Sequence, residues 1–515
     1  MTAILRPDAD DIKLIGYYLG KVLLGLGLLQ LIPLVTALTL GEWNSASAFA
    51  IGAAIAIIAW ALSDGLLATR QPLSWAHGMV IVALAWLLGP IATAVPMLLS
   101  GRFTDPVHAL FESMSALTTT GMSVIHDLDH TPVSEDLFRH LLQIAGGLGI
   151  IIVVLSVFAA GGARITTLYA SEGRDERVLP NIIRTARFIF QVASTLFVVG
   201  TTALVIALVA TGFTFPRAVY HGVNLFFASF ATGGFSVMQS SIIYYHSATV
   251  ELLVGLIMVA GTLSFGLHLA LWRGDPRDLL RHLELRTLAV TTTGFFVTVA
   301  VGLLFALLCV GLVRAGSYDT LEALLRKGLF TMVSAASSTG HQVNVGDTYL
   351  YDWGLLAPAA IVGAMAMGGM ASSTAGGIKA LRVGITFKSL THEIRRILLP
   401  ESALVVTTYH AGKRQVLRDE NARAATTVLL LFIASYLLGI TTALAYGELD
   451  LTQAIFEAVS VGSNIGVSIG VVNPGMPDGL ALVYILQMWL GRLEFVAAFA
   501  LLGYLFSLAR GRARA

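Results

Sequence analysis

Four short stretches of this 515-residue chain combine residue types suited to holding a bare cation. They read FESMSALTTTG at Phe111–Gly121, NLFFASFATGG at Asn224–Gly234, FTMVSAASSTG at Phe330–Gly340 and FEAVSVGSNIG at Phe456–Gly466. The first, third and fourth share a Phe ten positions before the glycine and a Ser six before it, where the second has Asn224 and Ala228. The closing residues are Thr119, Thr120, Gly121; Thr232, Gly233, Gly234; Ser338, Thr339, Gly340; and Asn464, Ile465, Gly466. The residues before each close suit a short helix, whose carbonyl end carries partial negative charge and favours a cation. Small or hydroxylated residues after it can go extended and turn their carbonyls to an axis, and glycine permits the twist this needs. Rings of backbone carbonyls replace the hydration shell of an alkali cation. One such stretch reads as a turn or a helix-packing motif. Four in matched places read as a ring around one axis.

Two further features lie in apolar runs. Gly368, Gly369, Ser372, Ser373, Thr374, Gly376 and Gly377 fall within ten positions, a poor helix interior. The spacing predicts a break near the middle of a span, lining a cavity, or a close-packed small-residue crossing. Lys379 sits at its edge, to repel cations or to snorkel to the membrane surface. Arg492 lies about a dozen residues into the last apolar run, with Glu494 two on. A charge at mid-bilayer costs at least about 2.5–3.5 kcal/mol on insertion scales, so Arg492 must face protein or water. It reads either as an ion-pair partner of Glu494 or as a pore charge. His341 follows the third glycine and reads first as a hydrogen-bonded structural imidazole, with a titrating mouth residue as the alternative.

The elements that carry these residues follow from hydropathy. Hydrophobic residues make up 56% of the chain and charged ones only 12%, and the mean hydropathy is +0.79. Soluble domains are about a quarter charged, and here the apolar residues come in long runs, so the chain is a polytopic membrane protein. Ten spans are expected: Leu14–Leu40, Ala48–Ala68, Trp75–Ser100, Leu137–Ala160, Thr185–Ala210, Val250–Trp272, Thr287–Val313, Trp353–Lys379 with an interruption, Thr426–Tyr446 and Leu480–Phe506. The polar start, Met1–Lys13, gives no cleavable signal peptide. Cys309, the single cysteine, lies in an apolar run and reads as helix packing.

Each glycine-ended stretch falls between two spans and is too short and polar to cross. The expected fold is all-α: a leading helix pair at 1–72, then four helix–re-entrant loop–helix repeats at 73–165, 166–275, 276–423 and 424–515, around a pseudo-fourfold axis. The third repeat carries the broken helix and a cytoplasmic loop, and the fourth ends in a basic tail. Non-helical backbone at membrane depth needs protein or water around it, so four such loops argue for a water-lined path.

Charge gives the orientation. Lys and Arg gather at Arg164–Arg187, Arg273–Arg286, Lys379–Arg423 and at Arg510, Arg512 and Arg514. Acidic residues gather around the four stretches, among them Asp105, Asp127, Asp129, Asp319, Asp347, Asp352, Glu448, Asp450 and Asp478. The positive-inside rule puts both termini in the cytoplasm and the stretches toward the outside. The acidic loops serve solubility or raise the local cation concentration at an outer mouth.

With these residues in place, the chain resembles the Trk/Ktr/HKT superfamily of potassium transporters, in its TrkH-type branch. The resemblance rests on the four stretches, QIAGGLGI at Gln143–Ile150, LYASEGRDERVLPNIIRTAR at Leu168–Arg187, GGMASSTAGGIKALR at Gly368–Arg382 and LGRLEF at Leu490–Phe495. It implies potassium uptake across the cell inner membrane, with K+ bound at the four closing triplets and no cofactor in the chain. It makes the Gly368–Gly377 segment a gate under the filter and places Arg492 beside the pore. It also implies a cytosolic ring of nucleotide-binding regulatory subunits, a homodimer with one pore per protomer, and a lipid environment, with no nucleic acid. In related plant transporters a serine at the first glycine goes with sodium preference, and all four positions here are glycine. Ile465 and Gly233 stand where Thr120 and Thr339 carry a hydroxyl, so the ring is not fourfold symmetric.

Two other transport readings remain open, coupled movement of potassium with protons or sodium and a poorly selective monovalent cation channel. The coupled one usually needs buried carboxylates, and Glu494 is the single acidic residue expected mid-span. An intramembrane enzyme lacks support: HExxH does not occur, and GVSIG at Gly466–Gly470 begins on a ring glycine without the strand-to-helix elbow that would activate Ser468. No phosphate-binding GxxxxGK[ST] loop occurs either.

Overall fold

A computed structural model describes residues 8–69, 71–103, 105–149, 182–274, 281–310, 321–343, 356–400, 405–411, 413–447 and 449–509. Most of Arg164–Arg187, the loop acids Asp319, Asp347, Asp352 and Glu448, and the arginines of the tail lie outside the described residues.

A leading pair, α1 (Ala9–Leu40) and α2 (Trp43–Leu67), turns at Gly41, whose φ of 73° takes the left-handed region. Small residues bring the two helices close, and the Ser63 hydroxyl donates to the Gly16 carbonyl at 2.7 Å. Asp11 ties the pair to the start of α3 (Trp75–Leu99) through His77, 3.0 Å away.

Four groups of helices follow. The first is α3, α4 (Pro106–Leu117) and α5 (Val133–Leu148). The second is α6 (Ile182–Ala210), α7 (Phe215–Phe230), α8 (Ala248–Thr262) and α9 (Phe265–Trp272). The third is α10 (Leu283–Val310), α11 (Leu321–Ala336), α12 (Leu356–Ala366) and α13 (Ala380–Leu398). The fourth is α14 (Asp419–Ala445), α15 (Leu451–Gly462), α16 (Asp478–Leu493) and α17 (Val496–Ala509).

Local sequence explains the short helices α4, α7, α11 and α15. Asp105 caps α4 by accepting from the Val107 N–H at 2.8 Å, with Pro106 following as a first-turn residue that needs no donor. Asp450 and Gln453 form a reciprocal capping box on α15. The repeated Phe anchors α4, α11 and α15: Phe111 and Phe456 are fully buried and Phe330 nearly so.

Among the described residues, five helices are long and apolar enough to cross a membrane, or seven if each bent pair is one span. Two of the expected spans are sharply bent. Val250–Trp272 is not one rod but α8 and α9, meeting at 103°, and Leu480–Phe506 is α16 and α17, meeting at 110°. Leu263 and Ser264 break the first, where Ser264 caps α9. Glu494 and Phe495 break the second, both in the left-handed region. The connection between α13 and α14 holds the only strands among the described residues: β1 (Thr408–Ala411) and β2 (Lys413–Val416) form an antiparallel hairpin pairing Thr408 with Val416.

Packing runs from group to group in order. Each short helix packs on the two longer helices of its own group. The second helix of each group then packs on the next short helix: α5 on α7, α8 on α11, α12 on α15, and α16 back on α4.

Candidate functional site

The four stretches share one backbone trace. Each short helix ends four residues before its glycine, at Leu117, Phe230, Ala336 and Gly462. Two residues before the glycine, Thr119, Thr232, Ser338 and Asn464 take left-handed φ values of 51–56°. The glycines follow at 84°, 69°, 87° and 87°. The residue before each glycine donates its N–H back into the helix: Thr120 to Ser115, Gly233 to Ala228, Thr339 to Ser334 and Ile465 to Ser460, at 2.8–3.0 Å. The shared serine closes the turn in two copies, where Ser115 donates to the Met122 carbonyl at 2.6 Å and Ser334 to that of His341 at 2.7 Å.

The glycines then lock the copies together in sequence. A Cβ built on Gly121 would collide with the Gly233 carbonyl oxygen, and one on Gly234 with that of Thr339. One on Gly340 would strike the Ile465 carbonyl, and one on Gly466 the Thr120 carbonyl. The contacts run from the first copy to the second, third and fourth and return to the first. All twelve closing residues are buried or nearly so.

Side chains tighten the ring unequally. In the first and third copies the hydroxyls flanking the left-handed residue meet, Thr118 with Thr120 and Ser337 with Thr339, both at 2.8 Å. The fourth copy replaces that pair with Asn464, which donates to the Thr120 hydroxyl at 3.0 Å and the Met488 carbonyl at 2.9 Å. In the second, Gln143 fills the space beside Gly233 and donates to its carbonyl at 2.5 Å. In the sequence Gln143 stands only within the QIAGGLGI motif, and nothing there marks Gly233 as its partner.

The segment Gly368–Gly377 folds back on itself between α12 and α13. Gly368 N–H donates to Ile378 at 2.8 Å and Ala380 N–H to Gly369 at 3.0 Å. The loop reaches the copies directly. The Thr374 hydroxyl lies 2.9 Å from the Phe230 and Gly261 carbonyls and 3.2 Å from the Thr232 hydroxyl. Ser338 donates to the Gly376 carbonyl at 3.4 Å, and Gly376 packs on Ser463 and Asn464. Ser372 accepts from the Phe265 N–H at the α8–α9 break, and Ser373 donates to Met370. Glu284 holds the far side, accepting from the Ala371 N–H at 2.9 Å. Lys379 does not leave for the surface: its ammonium donates to the Ala375 carbonyl.

Arg492 joins this loop to the first copy. Its guanidinium donates to the Thr374 carbonyl at 2.9 Å, to Thr119 Oγ1 at 3.2 Å and to the Gly146 carbonyl at 2.6 Å, and lies 5.3 Å from the Trp86 ring. Glu494 is not the partner of Arg492: its carboxylate pairs with Arg382 and sits 4.0 Å from Lys379. Residues two apart point to different helix faces, and the bend at Glu494 turns the carboxylate toward α13. His341 is buried, with Nε2 3.1 Å from the Ser229 hydroxyl, which fits the structural imidazole.

Two buried carboxylates escaped the sequence reading although both stand in the repeated segments. Glu112 accepts from Ser123, from the Val124 N–H and from Arg139 Nε at 2.8 Å. Glu457, one position after the repeated Phe in the same way, accepts from Ser468 at 2.6 Å and from the N–H groups of Ile469 and Val471. Both pin the chain that leaves the ring, and Arg139 bridges Glu112 to Asp136 with all three side chains nearly inaccessible. Arg139→Leu leaves two buried carboxylates without their cation, so a loss of about 3–5 kcal/mol is expected. Thermal unfolding in detergent should show a clear drop, whereas Arg396→Leu, exposed on α13, should show none.

The family model described as TrkH, cation transport protein, matches residues 45–502. The chain belongs to the TrkH family. This TrkH-family chain is therefore a multi-pass membrane cation transport protein rather than an enzyme. It is 31% identical over 507 residues to an uncharacterized cation transporter of Methanocaldococcus jannaschii, covering 98% of both chains. It is 29% identical over 436 residues to the Trk system potassium uptake protein TrkH of Halomonas elongata, covering 82% of this chain and 84% of that one. Its fold matches the crystal structure of the potassium transporter TrkH from Vibrio parahaemolyticus with a TM-score of 0.79, at 24% identity over 95% of this chain and 98% of the other.

Proposed function

We propose that this chain is the pore-forming subunit of a potassium uptake system in the cell inner membrane, with both termini cytoplasmic. The four stretches are re-entrant pore loops around a pseudo-fourfold axis. The quarters run over residues 73–165, 166–275, 276–423 and 424–515, behind the leading pair at 1–72. Ions enter past the acidic outer loops and shed water against carbonyls of the twelve closing residues. They then meet the Gly368–Gly377 loop, which is the gate. The observation that carries this reading is the closed cycle of glycine–carbonyl contacts from Gly121 through Gly234 and Gly340 to Gly466. Four copies with one backbone trace, packed head to tail until they meet, suit a ring of carbonyls that strips a cation. Relatives named as potassium uptake proteins support potassium as the cargo.

The loop suits a gate because it touches the second, third and fourth copies, with Arg492 tying it to the first. Arg492 adds a positive charge beside the ion path, which disfavours leak while the loop is in place. Regulation comes from a cytosolic ring of nucleotide-binding subunits docking on the basic loops, and the assembly is a homodimer. The inside-negative potential contributes about 2.3 kcal/mol per charge per 100 mV, enough to drive accumulation without a nucleotide site in this chain.

Flux into proteoliposomes tests the reading. With a negative-inside potential as the only driving force, potassium and rubidium should enter at least tenfold faster than sodium. Equal potassium and sodium rates would favour the unselective channel. Uptake that follows an imposed proton or sodium gradient at zero potential would favour the coupled transporter instead.

A further inference from the structure

A cavity of about 920 Å³ opens between the start of α10, the face of α13 and the β1–β2 hairpin. Four cations line it, Arg281 and Arg286 around the start of α10, Lys388 on α13 and Arg414 on β2. They come from three elements and converge on one space. Among the described residues no carboxylate pairs with any of the four and no acidic side chain lines the cavity. Lys388 already feels the crowding: burial, then the Arg286 and Arg395 charges, push its ammonium below the usual lysine range. Like charges held this close cost energy unless an anion joins them.

Thr287, Thr291, Thr408, Tyr409 and His410 also line the cavity. Leu283, Val290 and Phe387 give it one apolar wall. The same helix continues as an apolar stripe at helical spacing, Phe387, Leu390, Ile394, Ile397 and Leu398, with Ile397 80% exposed. Arg395 and Arg396 flank that stripe. An amphipathic helix with apolar and basic faces lies in the headgroup region of an anionic leaflet, and clustered basic residues there recognise acidic headgroups.

We infer that this cavity binds an anionic phospholipid, its phosphate held by Arg281, Arg286, Lys388 and Arg414 and its acyl chain lying along Val290 and Phe387. A free phosphate would satisfy the cations but leave the apolar wall and stripe exposed, and an acyl chain covers both. The site is a regulatory position by its connections. α13 begins at the loop Gly368–Gly377, so a lipid that fixes α13 also biases that loop. The binding claim stands without the transport reading, and only the effect on the loop depends on it.

The test is native mass spectrometry of the full chain with phosphatidylglycerol or phosphatidylcholine added in detergent. The wild type should retain phosphatidylglycerol at least tenfold more strongly. Arg286→Gln combined with Lys388→Gln should abolish that preference, whereas Lys388→Arg and the distant surface change Arg396→Gln should keep it. Unchanged thermal unfolding in phosphatidylcholine nanodiscs shows that the double variant is folded. Equal retention of the two lipids by wild type would overturn the proposal, as would an undiminished preference in the double variant. Full displacement by millimolar inorganic phosphate would overturn it too, because it makes the cavity a phosphate site. Burial of the stripe in a dimer without lipid preference would reassign it to a second copy of the chain.

Discussion

Gly340→Ser should lower the potassium-to-sodium permeability ratio at least tenfold while leaving the protein folded. At φ 87° a non-glycine residue pays about 1–2 kcal/mol in backbone strain. The added Cβ would also lie within 2.8 Å of the Ile465 carbonyl carbon and closer still to its oxygen. Backbone atoms held in a ring cannot swing aside as a flexible side chain does, so the fourth copy must move. Its displacement passes to the first through Asn464 and Thr120. In the proposed filter the ring then changes diameter and loses its fit to potassium before it stops conducting. Gly503→Ser is the control, since no atom lies within 4 Å of a Cβ built there. Bi-ionic reversal potentials of the two variants check the difference. A wild-type ratio in Gly340→Ser would mean that the ring does not select.

Arg492→Gln should raise potassium flux in the absence of regulatory subunits by about ten- to a hundredfold. Among the described residues the guanidinium makes three hydrogen bonds to carbonyl and hydroxyl oxygens, on the Gly368–Gly377 loop, the first copy and the end of α5. A hydrogen bond to a charged group contributes about 1.5–3 kcal/mol net. Losing one such bond shifts the balance between a seated and a displaced loop by one to two orders of magnitude. Glutamine keeps a donor but neither the reach nor the positive charge beside the path. Arg492→Lys should fall between, because one ammonium cannot present the fork that spans Thr374, Thr119 and Gly146. Unchanged flux in Arg492→Gln would confine Arg492 to a packing role.

The ring was legible because glycine and hydroxyl residues have few uses inside an apolar run, and four spaced copies leave fewer still. The Gly368–Gly377 break was legible for the same reason, as four glycines cannot sit quietly in a helix. The breaks at Leu263–Ser264 and Glu494–Phe495 were not, because one capping serine or one left-handed Glu leaves no compositional mark. Pairings across the chain were hidden as well. Glu494 had Arg492 as its sequence neighbour, yet it joins Arg382, which the bend brings near. Nothing in composition marks Glu112 and Glu457 as buried, because their burial depends on N–H groups that the chain presents only after it turns out of the ring.

The central claim is that cations occupy the space enclosed by Gly121, Gly234, Gly340 and Gly466. Anomalous diffraction from crystals grown in rubidium tests it most directly. The account predicts rubidium peaks on the axis of the four stretches, within coordination distance of their carbonyls, that weaken when sodium replaces rubidium. Rubidium bound elsewhere in a conducting protein, with none on that axis, would contradict it.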